Sequence, residues 1–221
     1  MILSFLVTVH NEDECLDRLL SQLVQYKSFD GDCEVIVLDD YSTNPNTKDI
    51  LDKYKHHVKL VQHKLDMQFG KHKQFGNSCC TGDYIFQVDS DELFTDNLLY
   101  NIKEIIRLNE SVELFMIPRV NTLEGLTADH VQRWGWRMST LDGISDPVVN
   151  WPDFQFRLYK NASHIRWERD LHEFITGAAT TTYLDSETSD WALLHNKTIS
   201  KQEAQNNFYV ANFSNELNSR N

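Results

Sequence analysis

Three times before residue 93, an apolar run of strand length ends abruptly in a polar, mostly acidic cluster. Ile2 to Val9 leads into His10-Asn11-Glu12, Cys33 to Leu38 into Asp39-Asp40, and Asp83 to Val88 into Asp89-Ser90-Asp91-Glu92. The runs are continuous rather than alternating, so each predicts a strand buried on both faces. Between them lie stretches of helical period. Glu12 to Tyr26 places Cys15, Leu16, Leu19, Leu20 and Leu23 on one face, and Thr47 to Tyr54 reads as a short helix. Lys71 to Cys80 is helix-like despite Gly76, and Asp96 to Leu108 carries Leu98, Leu99, Ile102, Ile105 and Ile106 at helical spacing. Val58 to Gln62 and Glu113 to Val120 complete the strands. Such alternation predicts an α/β fold, a mainly parallel sheet flanked by helices. Ligands of open sheets bind outside the carboxyl ends of the strands. Thr8 to Asn11, Asp39 to Ser42 and Asp89 to Glu92 are therefore expected to converge on one side.

The second half reads differently. Asn121 to Asp153 is rich in Trp, Gly and Asp and has little periodicity. Phe154 to Tyr159 and His164 to Trp167 read as a strand pair around the polar turn Lys160-Asn161-Ala162-Ser163, and Ser200 to Leu217 as a polar helix. No repeat, low-complexity tract or linker divides the 221 residues, so a single domain is expected.

Hydrophobic residues at 41% supply a core, while a net charge of -12 repels polyphosphate backbones and argues against nucleic acid as a partner. A small nucleotide is compatible with that charge where a bound divalent cation inverts it locally. Met1 to Val9 lacks a basic leader and a cleavage site and is read as a strand rather than a signal peptide. No stretch reaches the roughly 18 apolar residues of a transmembrane helix. Cys15, Cys33, Cys79 and Cys80 have no zinc spacing, which fits reduced thiols and a cytoplasmic protein, with peripheral attachment to a membrane left open. Sequons begin at Asn161, Asn196 and Asn212 and carry little weight without a secretory signal.

The acidic clusters carry the chemistry. Asp89 and Asp91, two residues apart just past a strand end, can both reach one cation, and hard oxygen ligands suit Mg²⁺ or Mn²⁺ shared with substrate phosphates. The plain alternative is an acidic turn capping the next helix. Asp39-Asp40 can accept hydrogen bonds from a base N–H or a ribose hydroxyl, while Ser42, Thr43 and Asn44 also suit a helix cap. His10 is placed to stack on a base, and Asn11 suits a turn. Lys71, His72 and Lys73 form a basic group in an acidic chain, or a solvated helix face. Trp134, Trp136 and Trp151 offer flat faces to sugars, an acceptor surface or a lid, or else pack a loop-rich core.

Together these stretches resemble the GT-A glycosyltransferases, specifically family 2. Val7-Thr8-Val9-His10-Asn11-Glu12 is similar to the family's opening motif. Val37-Leu38-Asp39-Asp40-Tyr41-Ser42-Thr43-Asn44 is similar to its second, with Tyr41 in place of the usual Gly. Lys73-Gln74-Phe75-Gly76 with Thr81-Gly82-Asp83-Tyr84-Ile85 resembles the third, with Lys for Arg and Gln for Asn, and Val88-Asp89-Ser90-Asp91-Glu92 the fourth. Arg157-Leu158-Tyr159-Lys160, followed by His172-Glu173, resembles the branch containing lipopolysaccharide-core transferases. The resemblance implies a GT-A, Rossmann-like fold with a nucleotide-sugar half over about residues 1–120 and an irregular acceptor half over about 121–221. It implies a nucleotide-diphosphate sugar donor, a UDP-sugar by default, a glycan or other hydroxyl acceptor, and an inverting reaction with Mn²⁺ or Mg²⁺. Thr8, His10 and Asp40 would line base and ribose, Lys73 would approach base or diphosphate, and Asp89 and Asp91 would bind ribose and metal. Glu173 would be the catalytic base with Asp170 in reserve, and His195 would face metal or diphosphate.

Two other enzyme classes use acids and Mg²⁺. An aspartyl phosphatase places its Asp pair after an early strand, and a nucleotidyltransferase opens with a Gly-rich basic loop; neither pattern is present. A sugar-binding module that has lost catalysis is the non-enzyme alternative, opposed by the retention of Asp89, Asp91, Glu173 and His195.

Overall fold

The computed structural model describes residues 1–214. In β1 (Leu3–Val9), Leu3, Phe5 and Val7 pack into one hydrophobic cluster and Leu6 into a second on the other face. β2 (Cys33–Asp39) divides the same way, with Val35 and Val37 on one side and Ile36 and Leu38 on the other. Burial on both faces is the physical reason for the unbroken apolar runs. Between them α1 (Glu14–Phe29) opens where the Asp13 carboxylate accepts from the Glu14 N–H and buries Leu16, Leu19, Leu20 and Leu23. α2 (Pro45–Tyr54) starts from an Asn44 cap with proline in its first turn. There follow β3 (Lys59–Gln62), α3 (Phe69–Ser78), β4 (Tyr84–Asp89), β5 (Leu93–Phe94), α4 (Asp96–Leu108) and β6 (Leu114–Glu124).

The second half contributes α5 (Ala128–Trp134), β7 (Met138–Ser139), β8 (Val148–Lys160), β9 (Arg166–Glu168), β10 (Phe174–Thr176), β11 (Thr181–Tyr183), β12 (Leu193–Thr198) and α6 (Ile199–Asn212). The main sheet runs β3-β2-β1-β4-β8-β6-β12-β5. The β1–β2, β1–β4, β2–β3 and β6–β12 pairings are parallel, and β8 lies antiparallel between β4 and β6. The expected α/β architecture is therefore present, with one long antiparallel strand stitching the halves together.

Two readings of the second half are corrected. His164 to Trp167 does not pair with Phe154 to Tyr159: β9 pairs with β10 in a separate two-stranded sheet. At the Leu158 to Lys160 end of β8, β4 and β6 occupy both edges, so no edge remains there for a hairpin partner. Asn121 to Asp153 is also more regular than its composition suggests, since β6 extends to Glu124 and β8 begins at Val148. The part of the expected Ser200 to Leu217 helix beyond residue 214 lies outside the described residues. No helix among the described residues is long and apolar enough to cross a membrane, and all four cysteines are free.

α3 is docked end-on against the turn after β9. Phe69 N–H donates to the Asp170 carbonyl at 3.1 Å and Gly70 N–H to that of Arg169 at 3.0 Å. A Cβ on Gly70 would stand 2.5 Å from the Arg169 carbonyl oxygen, a backbone atom that cannot swing aside. Gly70→Ala is expected to destabilise the protein by about 1–3 kcal/mol, lowering Tm by several degrees in thermal unfolding. An unchanged Tm would show that this docking is loose.

Candidate active site

The three polar strand ends open onto a single cleft of about 950 Å³. Thr8 and His10 enter from the end of β1, Asp40 from β2, and Asp89 and Asp91 from β4. The far wall is supplied by β6, β8 and β12, and α6 lays Lys201, Gln205 and Tyr209 along it.

The two adjacent acids after β2 divide their work. Asp39 is 2% exposed and structural: its carboxylate accepts from the Ser42 N–H at 2.9 Å and the Gln62 amide at 3.0 Å. Asp40 faces the cleft, held by the Leu65 N–H at 2.8 Å, with the His10 ring 3.3 Å from its other oxygen. Asn11 is the turn residue its sequence suggested: its side-chain oxygen accepts from the Thr43 and Asn44 N–H groups at 2.7 and 2.8 Å. Tyr41 adopts φ +47°. A left-handed backbone at this position is the physical reason a glycine suits it.

Asp89 is gripped from several sides. One oxygen accepts from Thr8 Oγ1 at 2.9 Å and Gln87 Nε2 at 2.8 Å, and the other from the Arg157 guanidinium at 2.6 Å. Arg157, 3% exposed, also bonds Glu92 at 2.5 Å and Gln87. Glu92 continues to Arg119 at 2.9 Å, and Arg119 to Asp153 at 2.7 Å. Burial alone would push the Asp89 carboxyl up, but Arg157 and Lys73 outweigh it and hold it well below the usual carboxylate range.

That ladder ends at His195. Asn121 donates its amide N–H to Asp153 at 2.9 Å, which turns its oxygen toward His195 Nδ1 at 2.7 Å. Nδ1 therefore carries the proton, and Nε2 presents a lone pair to Asp91 Oδ2 at 3.3 Å. Burial lowers the His195 pKa from its ordinary value, favouring the neutral ring. With the ring neutral, Nε2 and the Asp91 oxygen are two facing electron-pair donors, an arrangement a cation would fit; a ring protonated on both nitrogens would instead pair with Asp91 directly. Among the described residues no third His, Cys, Asp or Glu completes a metal-binding group, and the Lys197 ammonium lies 3.5 Å from the same Asp91 oxygen. Asp91 and His195 are two donors, so a Mg²⁺- or Mn²⁺-type ion there would need its other ligands from water and phosphate and would compete with Lys197 for the Asp91 oxygen.

Glu173 also reaches the cleft, and its carboxylate binds Lys73 Nζ at 2.6 Å. Lys73 is buried, 3.5 Å from Asp89 and over the Trp167 ring. Burial raises the Glu173 carboxyl, but Lys73 reverses this and leaves it lowered, hence ionised. The reserve residue Asp170 is not among the cleft-lining residues; its neighbours Leu171, His172 and Glu173 are. His72 is buried beside His63 and pushed down to about 4 by burial, so it stands neutral at the cleft. Lys73 is the cation of that basic group that meets the acids.

Sequence reasoning passed over Arg119, Asn121, Asp153 and Lys197. Arg119 had a signal: a charge inside the apolar run Glu113 to Val120. Lys197 had another, since it follows His195 by two residues and strand side chains repeat with period two.

Arg157→Met would remove the cation that Asp89 and Glu92 share, leaving them Lys73 and Arg119 as partners, at a cost of about 3 kcal/mol in urea unfolding at pH 7. Without Arg157, burial acts on Asp89 with less opposition and raises it, so the variant's penalty is relieved as that carboxyl protonates in the acid range. The low wild-type carboxyl instead keeps its stabilising contribution until pH falls through its lowered folded pKa. The gap between wild type and variant is therefore expected to narrow toward pH 4. An equal gap at both pH values would contradict the assignment.

The chain resembles solved structures of S. aureus TarS. It matches TarS 1-349 with a TM-score of 0.60 at 17% identity, covering 89% of this chain and 60% of that one. The same protein in complex with UDP-GlcNAc matches with a TM-score of 0.60 at 19% identity over 89% and 59%. A longer TarS structure matches with a TM-score of 0.59 at 18% identity, covering 95% of this chain and 39% of that one. The chain therefore spans at most 60% of the length of these structures. At such identities the likeness establishes the GT-A fold. No curated protein matches. The family model for glycosyl transferase family 2 covers residues 4–167, and the chain belongs to that family.

Proposed function

We propose that the protein transfers a sugar from a nucleoside-diphosphate donor, a UDP-sugar in the first instance, to an acceptor hydroxyl with inversion. Family membership and the likeness to a protein solved with UDP-GlcNAc support the donor class. The observation that carries the reading is the facing of Asp91 and the neutral His195 Nε2 at 3.3 Å inside the cleft that also gathers Asp40, Asp89 and Glu173. The Arg157-Leu158-Tyr159-Lys160 and His172-Glu173 stretches support a place in the lipopolysaccharide-core transferase branch.

In this reading Thr8, His10 and Asp40 receive the nucleoside, with the Asp40 carboxylate accepting from base or ribose. Asp91 and His195 would hold Mn²⁺ or Mg²⁺, with Asp89 beside them and already bonded to Arg157. The ion there would supply Lewis acidity against the charge that develops on a departing diphosphate. Glu173 accepts the proton of the attacking acceptor hydroxyl. Its ion pair with Lys73 keeps it ionised but weakens it as a base. A diphosphate arriving near Asp89 competes for the Lys73 ammonium, and as it draws that charge away Glu173 gains basicity.

Variants separate the roles. Glu173→Gln is expected to bind UDP as wild type does and to lose turnover by about 100-fold or more. Asp91→Asn is expected to lose metal-dependent UDP binding while its thermal unfolding stays cooperative. Full turnover by Glu173→Gln would move the base elsewhere, and undiminished metal-dependent binding by Asp91→Asn would remove Asp91 from the ion.

A further inference from the structure

Two large aromatic rings line the cleft yet belong to none of the hydrophobic clusters. Trp134 and Trp136 are half-buried on its wall. Trp151 differs: it packs against the cluster of Val120, Val148 and Ala192, and its indole N–H donates to the Ser186 carbonyl at 3.2 Å. α5, which carries Trp134, has no buried residue, so core formation does not explain it. The segment is nevertheless fixed at both ends, by a capping box between Thr127 and His130 and by a left-handed Gly135.

The two rings have different surroundings. His130 stacks on Trp134 with centroids 5.3 Å apart and planes 17° apart, and the Arg133 guanidinium lies 4.5 Å from the Trp134 ring. Arg133 and His130 both reach Glu203 of α6, at 2.7 and 3.8 Å. Trp134 is thus covered and braced. Trp136 leans on it, centroids 4.6 Å apart, and its backbone N–H is tied to the Val131 carbonyl at 3.0 Å. Among the described residues Trp134 is the one ring in contact with Trp136. The amides of Asn150 and Gln155 line the same cleft.

Position along the sheet gives this pair its meaning. In the order β2-β1-β4-β8-β6, the nucleoside residues sit after β1 and β2, the Asp89 to Asp91 cluster after β4, and the tryptophans after β6. Trp136 stands two residues before β7, which pairs with the start of β8, so the pair belongs to the β8–β6 side of the cleft rather than to the β1–β2 side where Thr8, His10 and Asp40 enter.

We propose that Trp136, backed by Trp134, is a stacking platform for a pyranose ring of the acceptor, so that the acceptor is itself a carbohydrate. The assignment of that ligand as acceptor rests on the donor reading above. An indole face matches the C–H face of a sugar ring, and neighbouring neutral amides suit its hydroxyls. A braced, pre-set ring binds without the cost of ordering it.

The test is saturation-transfer NMR on wild type, Trp136→Ala and Trp136→Phe with methyl glycopyranosides of glucose, galactose, mannose and N-acetylglucosamine. UDP affinity is titrated in parallel. Wild type is expected to transfer saturation to the ring C–H protons of at least one glycoside. Trp136→Ala should weaken that binding about tenfold, and Trp136→Phe should keep most of it. All three proteins should bind UDP equally, which also shows the variants folded. Glycoside binding by Trp136→Ala equal to wild type, or no glycoside bound by wild type, would overturn the platform. Glycoside binding through Trp136 without any UDP binding would support the platform and overturn the donor reading instead.

Discussion

The buried guanidinium of Arg157 is the contact on which the site depends. It reaches from β8 to Asp89 and Glu92 at the end of β4, at 2.6 and 2.5 Å. Glu92 is fully buried and Asp89 partly so, and a carboxylate drawn out of water without a partner cation protonates or destabilises its surroundings. With Arg157 in place, β4 can end in acids beneath a sheet buried on both faces. β8, the antiparallel strand between β4 and β6, is therefore both the seam of the two halves and the source of the neutralising charge.

From that centre the charges alternate along a connected path. Glu92, Arg119 and Asp153 follow one another, then Asn121 passes orientation rather than charge to His195. The effect is to fix which nitrogen of His195 faces Asp91, a detail that decides whether the pair repels or holds a cation. On the other side Lys73 stands between Asp89 and Glu173. The acids that would handle metal and proton are thus kept ionised by different cations: Arg157 and Lys73 for Asp89, Lys73 alone by direct contact for Glu173. A diphosphate entering the cleft would disturb the Lys73 contacts and leave those of Arg157 intact.

The first half was legible because β1, β2 and β4 are buried on both faces and α1 and α4 on one, so hydrophobic pattern and secondary structure coincide. Glu113 to Val120, Asp83 to Val88 and Asp96 to Leu108 appear within a few residues of their expected limits. The convergence of Thr8, Asp40, Asp89 and Asp91 followed from strand polarity alone. The second half was less legible, because β8 takes its long pairings from β4 and β6, earlier in the chain, rather than from β9, the next strand in sequence. No local pattern at Phe154 to Trp167 reports that both its edges are occupied. The roles of Asn121, Asp153 and Arg119 were hidden for a related reason: each acts through a partner more than 25 residues away. Likewise, composition could not divide Trp151, which packs in a core, from Trp134 and Trp136, which do not.

The central claim is that this cleft is a nucleoside-diphosphate site completed by a divalent cation at Asp91 and His195. Calorimetric titration of the wild-type protein with UDP, with and without Mn²⁺, tests it most directly. The account predicts saturable one-to-one binding with Mn²⁺ and binding weakened about tenfold or more without it. Equal affinity in the two titrations would remove the cation from the site, and the absence of binding in both would contradict the nucleotide assignment itself.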